Sequence, residues 1–217
     1  MKFRLTGARW ATLASMIALS TLSMSGPAHA ADTTYSPPPG QITLDVQTVN
    51  GSGCPSGSAS ATMLSDNTGF RIKYDDYLAQ DGGTAGPTDF RKNCQVNLLV
   101  NIPQGFTFAI ARADYRGLAH LEPGATALER ANYYFQGSSD NTYIDHSFNG
   151  PYDGTWQTTD ITTAANLVWA PCGVVRGLNI NTELRVDAGT SAQRSYISMR
   201  SSDGDVYTLI HFQWKQC

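Results

Sequence analysis

Three histidines follow residue 30 of this 217-residue chain, His120, His146 and His211, and none has a nucleophile or an acid at a spacing that suggests a triad. The sequence has no Gly-x-Ser-x-Gly elbow, and a cysteine nucleophile would leave an odd partner among the four cysteines. His211 alternates with Ile210 and Phe212, so it belongs to the opposite face of its strand. Glycoside hydrolysis needs two carboxyls roughly 5 to 9.5 Å apart. Glu183 and Asp187 share a strand face but stand about 13 Å apart at about 3.3 Å per residue. Asp75 and Asp76 are neighbours that point apart, and Asp203 and Asp205 flank a turn glycine. Hydrolysis therefore stays open only as an acidic pair assembled from separate strands.

Calcium asks for several oxygens on a turning loop. Asp75, Asp76, Asp81 and Asp89 surround the stretch Asp81-Gly82-Gly83-Thr84-Ala85-Gly86-Pro87, but the spacing is not that of an EF-hand, and Gly, Asp and Pro also make ordinary turns. No metal or cofactor is assigned. The segment Tyr133–Trp156 is the densest in aromatic residues, mixed with Ser, Asn, Asp and Gly. Flat rings beside amides and carboxylates suit a sugar or a protein hot spot, which makes Tyr143, Tyr152 and Trp156 the candidate ligand-binding residues. The alternative is that these rings plug the end of a core.

Cys54, Cys94, Cys172 and Cys217 contain no Cys-x-x-Cys unit to build a compact zinc site, so disulfides are expected. The chain alone allows three pairings. Cys54 with Cys94 and Cys172 with Cys217 close loops of similar length, one in each half.

The elements that must position these residues begin after an export signal. Lys2, Arg4 and Arg9 precede an apolar stretch from Trp10 to Leu22 and the small-residue site Ala28-His29-Ala30. Cleavage after Ala30 leaves 187 residues with 12 cationic against 18 acidic side chains, a formal charge of −6. The cations are dispersed, which argues against nucleic acid, and no later stretch is apolar enough for a membrane helix. The expected location is extracellular, and the expected partner is a glycan or a protein surface. Residues 31–40 carry three consecutive prolines and read as a mobile arm, with a single folded domain over 41–217.

Within that domain, apolar residues recur at period two at Ile42, Leu44 and Val46; at Phe70, Ile72 and Tyr74; at Val96, Leu98, Val100 and Ile102; and at Phe106, Phe108 and Ile110. The clearest strand runs from Leu178 to Val186, with Asn179, Asn181, Glu183 and Arg185 on its wet face. Asp203-Gly204 between Ser195–Arg200 and Val206–Trp214 predicts a hairpin. One short helix is expected over Thr126–Ala131, from Ala, Leu, Glu and Arg. Many short strands separated by turns predict a disulfide-stapled antiparallel β-sandwich, jelly-roll-like in its connections. Asn50-Gly51-Ser52 is a glycosylation sequon, relevant in a eukaryotic source.

Several patterns resemble a family of small secreted bacterial and fungal proteins, domain of unknown function 4360. They are Gly51-Ser52-Gly53-Cys54-Pro55, Phe90-Arg91-Lys92-Asn93-Cys94-Gln95, Trp169-Ala170-Pro171-Cys172-Gly173 and Arg176-Gly177-Leu178-Asn179-Ile180-Asn181-Thr182. The resemblance spans about Gln41 to Cys217. It implies secretion, a β-rich fold and paired cysteines, and it carries over no catalytic residue.

Overall fold

In the computed structural model, residues 36–138, 143–199 and 207–217 are described, and they form two antiparallel sheets. The strands are β1 (Thr43–Asn50), β2 (Ala59–Met63), β3 (Gly69–Tyr74), β4 (Leu78–Asp81), β5 (Arg91–Asn101), β6 (Phe106–Leu121), β7 (Thr126–Phe135), β8 (Tyr143–Asn149), β9 (Tyr152–Ile161), β10 (Gly177–Asp187), β11 (Ser195–Ser198) and β12 (Thr208–Gln216). One sheet has the order β1-β5-β10-β7-β8. In the other, β3 and β12 pair beside the first half of β6, β4 and β11 beside its second half, and β9 covers its far edge. From β4 onward most connections cross between the sheets, in keeping with the expected jelly-roll-like sandwich.

The period-two strands bury the residues their alternation predicts. Phe70, Ile72, Tyr74, Val96, Leu98, Leu178, Ile180 and Leu184 are all inside. Val46 is the exception and is exposed, because a bulge between Val46 and Thr48 passes the inward position from Leu44 to Val49. Both disulfides pair as expected, with Cα separations of 5.2 Å for Cys54–Cys94 and 5.8 Å for Cys172–Cys217.

Two local expectations are corrected. Thr126–Ala131 opens strand β7 rather than a helix: Ala127, Glu129 and Ala131 alternate inward while the backbone pairs with β10 on one side and β8 on the other. Pairing on both edges outweighs a weak helical propensity. The predicted hairpin partners, in turn, do not pair with each other. β11 and β12 both run antiparallel to β6 along the same edge, β11 opposite Leu118–His120 and β12 opposite Phe106–Asp114. They therefore lie end to end in one direction, and Asp203-Gly204 falls outside the described residues.

At the β8–β9 edge the core is closed by Trp156, only 2% exposed and packed on Phe148 with ring centroids 5.4 Å apart. Gly117 makes room for it, since a Cβ there would lie 2.5 Å from the indole and 1.9 Å from the Ser198 carbonyl oxygen. Trp156→Ala is expected to lower the unfolding free energy by about 3–5 kcal/mol, as for other buried aromatic truncations. Tyr143→Ala, at a ring 57% exposed, should stay within about 0.5 kcal/mol of wild type. Urea denaturation of both variants checks the pair, and a Trp156→Ala protein as stable as wild type would contradict the packing.

Candidate functional site

The three aromatic candidates go to three different places. Trp156 belongs to the core and is corrected as a surface-stacking residue. Tyr152 is half-buried at the start of β9, where its hydroxyl donates to the Thr155 carbonyl at 2.7 Å and its ring meets Phe148 edge-on. Tyr143 stands on the outer side of β8 with the Arg130 guanidinium 5.5 Å from its ring centre. Only Tyr143 presents an open ring.

Around Tyr143 the outer face of the five-stranded sheet is built of amides. Register places Gln95 of β5 beside Asn181 of β10, Asn181 beside Asn132 of β7, and Asn132 beside Tyr143 of β8. These four residues make a row across four strands, about 14 Å long at about 4.8 Å per strand, in which Asn132 is only 1% exposed. A second row, two residues along, joins Asn97, Asn179 and Tyr134. Asn179 Oδ1 accepts from Asn97 Nδ2 at 2.9 Å and from Gln95 Nε2 at 3.3 Å, which locks the two amides of β5 in place. Asn181 Oδ1 is buried and has no hydrogen-bond partner among the described residues.

The rows carry no charge, and the charges at their border are paired with one another. Glu183 is held by Arg91 and Arg185, and Arg130 clasps Asp145 with two bonds of 2.6 Å, which keeps the Asp145 carboxyl below its ordinary range. Asparagine is unfavourable in strands, so outward Asn93, Asn97, Asn101, Asn179 and Asn181 on two strongly patterned strands were a signal in the sequence.

Inside the sandwich a second polar group gathers. Tyr133 donates to Asp160 Oδ2 at 2.7 Å, and His146 Nε2 lies 2.6 Å from Asp160 Oδ1. Tyr133 has committed its one proton, so Tyr115, in contact with the Tyr133 oxygen, is the donor of that bond. Burial pushes both phenols well above their ordinary range. Glu129 is beside this group, accepting from Thr158 at 3.2 Å. Burial first, and the charge of Asp160 second, push its carboxyl well above the ordinary glutamate range. Glu129 and Asp160 are an acidic pair from separate strands, but at 0% and 3% exposure neither is reached by a polymer.

Every mature histidine has a carboxyl partner, contrary to the expectation from sequence. His211 lies 3.2 Å from Asp114, which Arg112 and Thr159 also bind. His120 sits between Glu122 and Asp153, whose hydrogen bonds raise its proton affinity. His146 and His211 meet carboxyls distant in sequence, whereas His120 meets Glu122 two residues on and Asp153 directly opposite it in the β6–β9 register. In the proposed calcium stretch, Asp81 accepts from the Ala188 amide at 2.8 Å and Asp89 from the Gly86 amide at 3.0 Å. Among the described residues no three His, Cys, Asp or Glu side chains converge as metal ligands.

Glu129 gives a testable pH dependence. The folded protein keeps the Glu129 proton, whereas the unfolded chain loses it above about 4.5, its ordinary value. The unfolded state therefore binds fewer protons, and stability is fully present below that pH and falls as pH rises toward the folded value, by up to about 1.4 kcal/mol per pH unit. Glu129→Gln should remove that portion of the slope and gain relative to wild type as pH rises. Chemical denaturation at pH 5 and pH 8 checks it, and an unchanged slope in the variant would contradict it.

Comparison with known proteins shows the family and a secreted relative and adds no reaction. The family described as "Domain of unknown function (DUF4360)" matches residues 40–217. An uncharacterized secreted protein of Arthroderma benhamiae is 34% identical over 181 residues, covering 83% of this chain and 74% of its own length. Among solved structures, the enzymatically active domain of tailspike protein 4 of bacteriophage CBA120 aligns at 12% identity over 81% of this chain. The chain spans 19% of that structure, and the TM-score of 0.22 is too low to bear on fold or activity. The secreted relative and the two disulfides agree in placing the protein outside the cell. The chain belongs to the DUF4360 family, as an extracellular member with an all-β fold.

Proposed function

We propose that this protein binds a neutral extracellular polysaccharide along the outer face of its five-stranded sheet. The observation that carries the reading is the line of partly exposed, uncharged amides Gln95, Asn97 and Asn181, which runs toward the exposed ring of Tyr143 over the buried Asn132. The partly exposed amides carry N–H donors and carbonyl acceptors that match the O–H donor and lone pairs of a sugar hydroxyl, and the tyrosine ring suits the CH face of a pyranose. A single such hydrogen bond contributes a net of about 0.5–1.5 kcal/mol, so affinity needs several of them on a repeating ligand. The bordering ion pairs leave little free charge to attract an anionic polymer, and salt should weaken binding little.

The proposal is tested by affinity electrophoresis in gels containing a soluble β-1,3-glucan, a β-1,4-glucan or a mannan, with alginate as the acidic control. At least one neutral polymer should retard the protein, and alginate should not. Tyr143→Ala and Gln95→Ala should each weaken that retardation about tenfold, the equivalent of about 1.4 kcal/mol, with melting temperatures unchanged. No new reducing ends should appear on long incubation. Free migration in every neutral gel, or retardation that survives both substitutions, would overturn the reading.

A further inference from the structure

At one end of the sandwich, meeting the second row at Tyr134, a cleft of about 920 Å³ opens between the β7–β8 edge and residues 162–176. Its depth is apolar: Ile110, Phe135 and Leu178 come from the two sheets, and Ile144 and Trp169 close the sides. Exposed Ile161 lies on the cleft wall, and exposed Val174 and Val175 immediately precede its lining residue Arg176. Those three are half of the six large apolar residues exposed among the described residues, so exposed apolar surface concentrates here.

The outer wall is tethered rather than loose. Thr162 N bonds the Ala111 carbonyl at 2.9 Å, Ala170 N bonds Phe108 at 2.8 Å, and Cys172 is bridged to Cys217. The cleft is thus a formed feature of the fold, in the size range of small-molecule sites.

Its charge is one-sided. The full chain carries 18 acidic against 15 cationic residues, yet no Asp or Glu lines the cleft. Arg176 lines it and has no ion-pair or hydrogen-bond partner among the described residues. The Lys215 ammonium rests 4.1 Å from the centre of the Trp169 ring, adding a second cation beside the wall. Apolar residues beside hydroxyl and amide groups such as Thr162, Thr163 and Asn166, with the unpaired Arg176 guanidinium among them, complement a molecule with an apolar body and an anionic head.

We infer that this cleft binds a free amphiphile of the fatty-acid class, its chain against Ile110, Phe135 and Leu178 and its carboxylate on Arg176. The inference is independent of polysaccharide binding on the outer face. Two terms act together: burial of each methylene is favourable by about 0.8 kcal/mol, and a guanidinium–carboxylate bond fixes which end faces out.

Titration of the full secreted chain with monomeric laurate, dodecanol and acetate, followed by calorimetry and Trp fluorescence, tests it. Laurate should bind with one-to-one stoichiometry, dodecanol more weakly and acetate not at all. Arg176→Gln should weaken laurate about tenfold while leaving dodecanol unchanged, and Ile144→Arg should abolish both without altering circular dichroism. Laurate that fails to bind, or binds equally well to Arg176→Gln, would overturn the inference. So would binding confined to phosphatidylglycerol vesicles with no uptake of free laurate, which would mark a membrane-docking surface instead.

Discussion

The interaction on which much of this architecture depends is the set of hydrogen bonds converging on Asp160. They link β9 to β7 through Tyr133 and to β8 through His146, and Tyr115 extends the chain into β6. Four strands from both sheets are thereby joined at an edge that apolar contact alone would leave free to slide. Buried polar groups are costly when unpaired and rigidifying when satisfied. Here the geometry of two phenols and an imidazole fixes how β7 and β8 lie against β6 and β9. The neighbouring Glu129 adds to the polar interior as a neutral carboxyl, held so by burial and by the charge next to it.

That constraint reaches both surfaces discussed above. β7 points Tyr133 into the polar interior, and the same ring lines the end cleft. One residue earlier, on the opposite face, Asn132 takes its place in the amide row between Asn181 and Tyr143. The small inward residues Ala127 and Ala131 leave space for this polar interior, which explains why β7 lacks the apolar stripe that would have marked it as a strand. The disulfides act at the margins: one joins the loop after β1 to β5, and the other secures the cleft wall to the last residue of the chain.

Much of this was legible in the sequence, and what was not has a common cause. Strands such as β5 and β10 bury one face against the opposite sheet, so period two was plain in their apolar residues. The cysteine pairing followed from loop lengths. Local signals failed where a third element decided the outcome. Asp203-Gly204 carries ordinary hairpin chemistry, but β6 supplies one long edge to both flanking strands, and so they line up rather than fold back. Thr126–Ala131 has helical residues, but pairing on two sides makes it a strand. Tyr143 and Trp156 look alike in composition and differ in depth, because one points out of an edge strand and the other into the space above Gly117. The carboxyl partners of His146 and His211 come from elsewhere in the fold and leave no signature in spacing. The amide face was visible as outward asparagines and needed register to become rows.

If the proposed glycan lies on the outer sheet face, side-chain amide resonances report its contact directly. Titrating ¹⁵N-labelled protein with soluble hexasaccharides of the neutral polymer that retards it should shift the NH₂ signals of the partly exposed Gln95, Asn97 and Asn181. Backbone signals at Arg176 and Trp169, on the cleft, should stay in place. Saturating oligosaccharide that leaves those three amide groups unmoved, or shifts only signals elsewhere, would contradict glycan binding on this face.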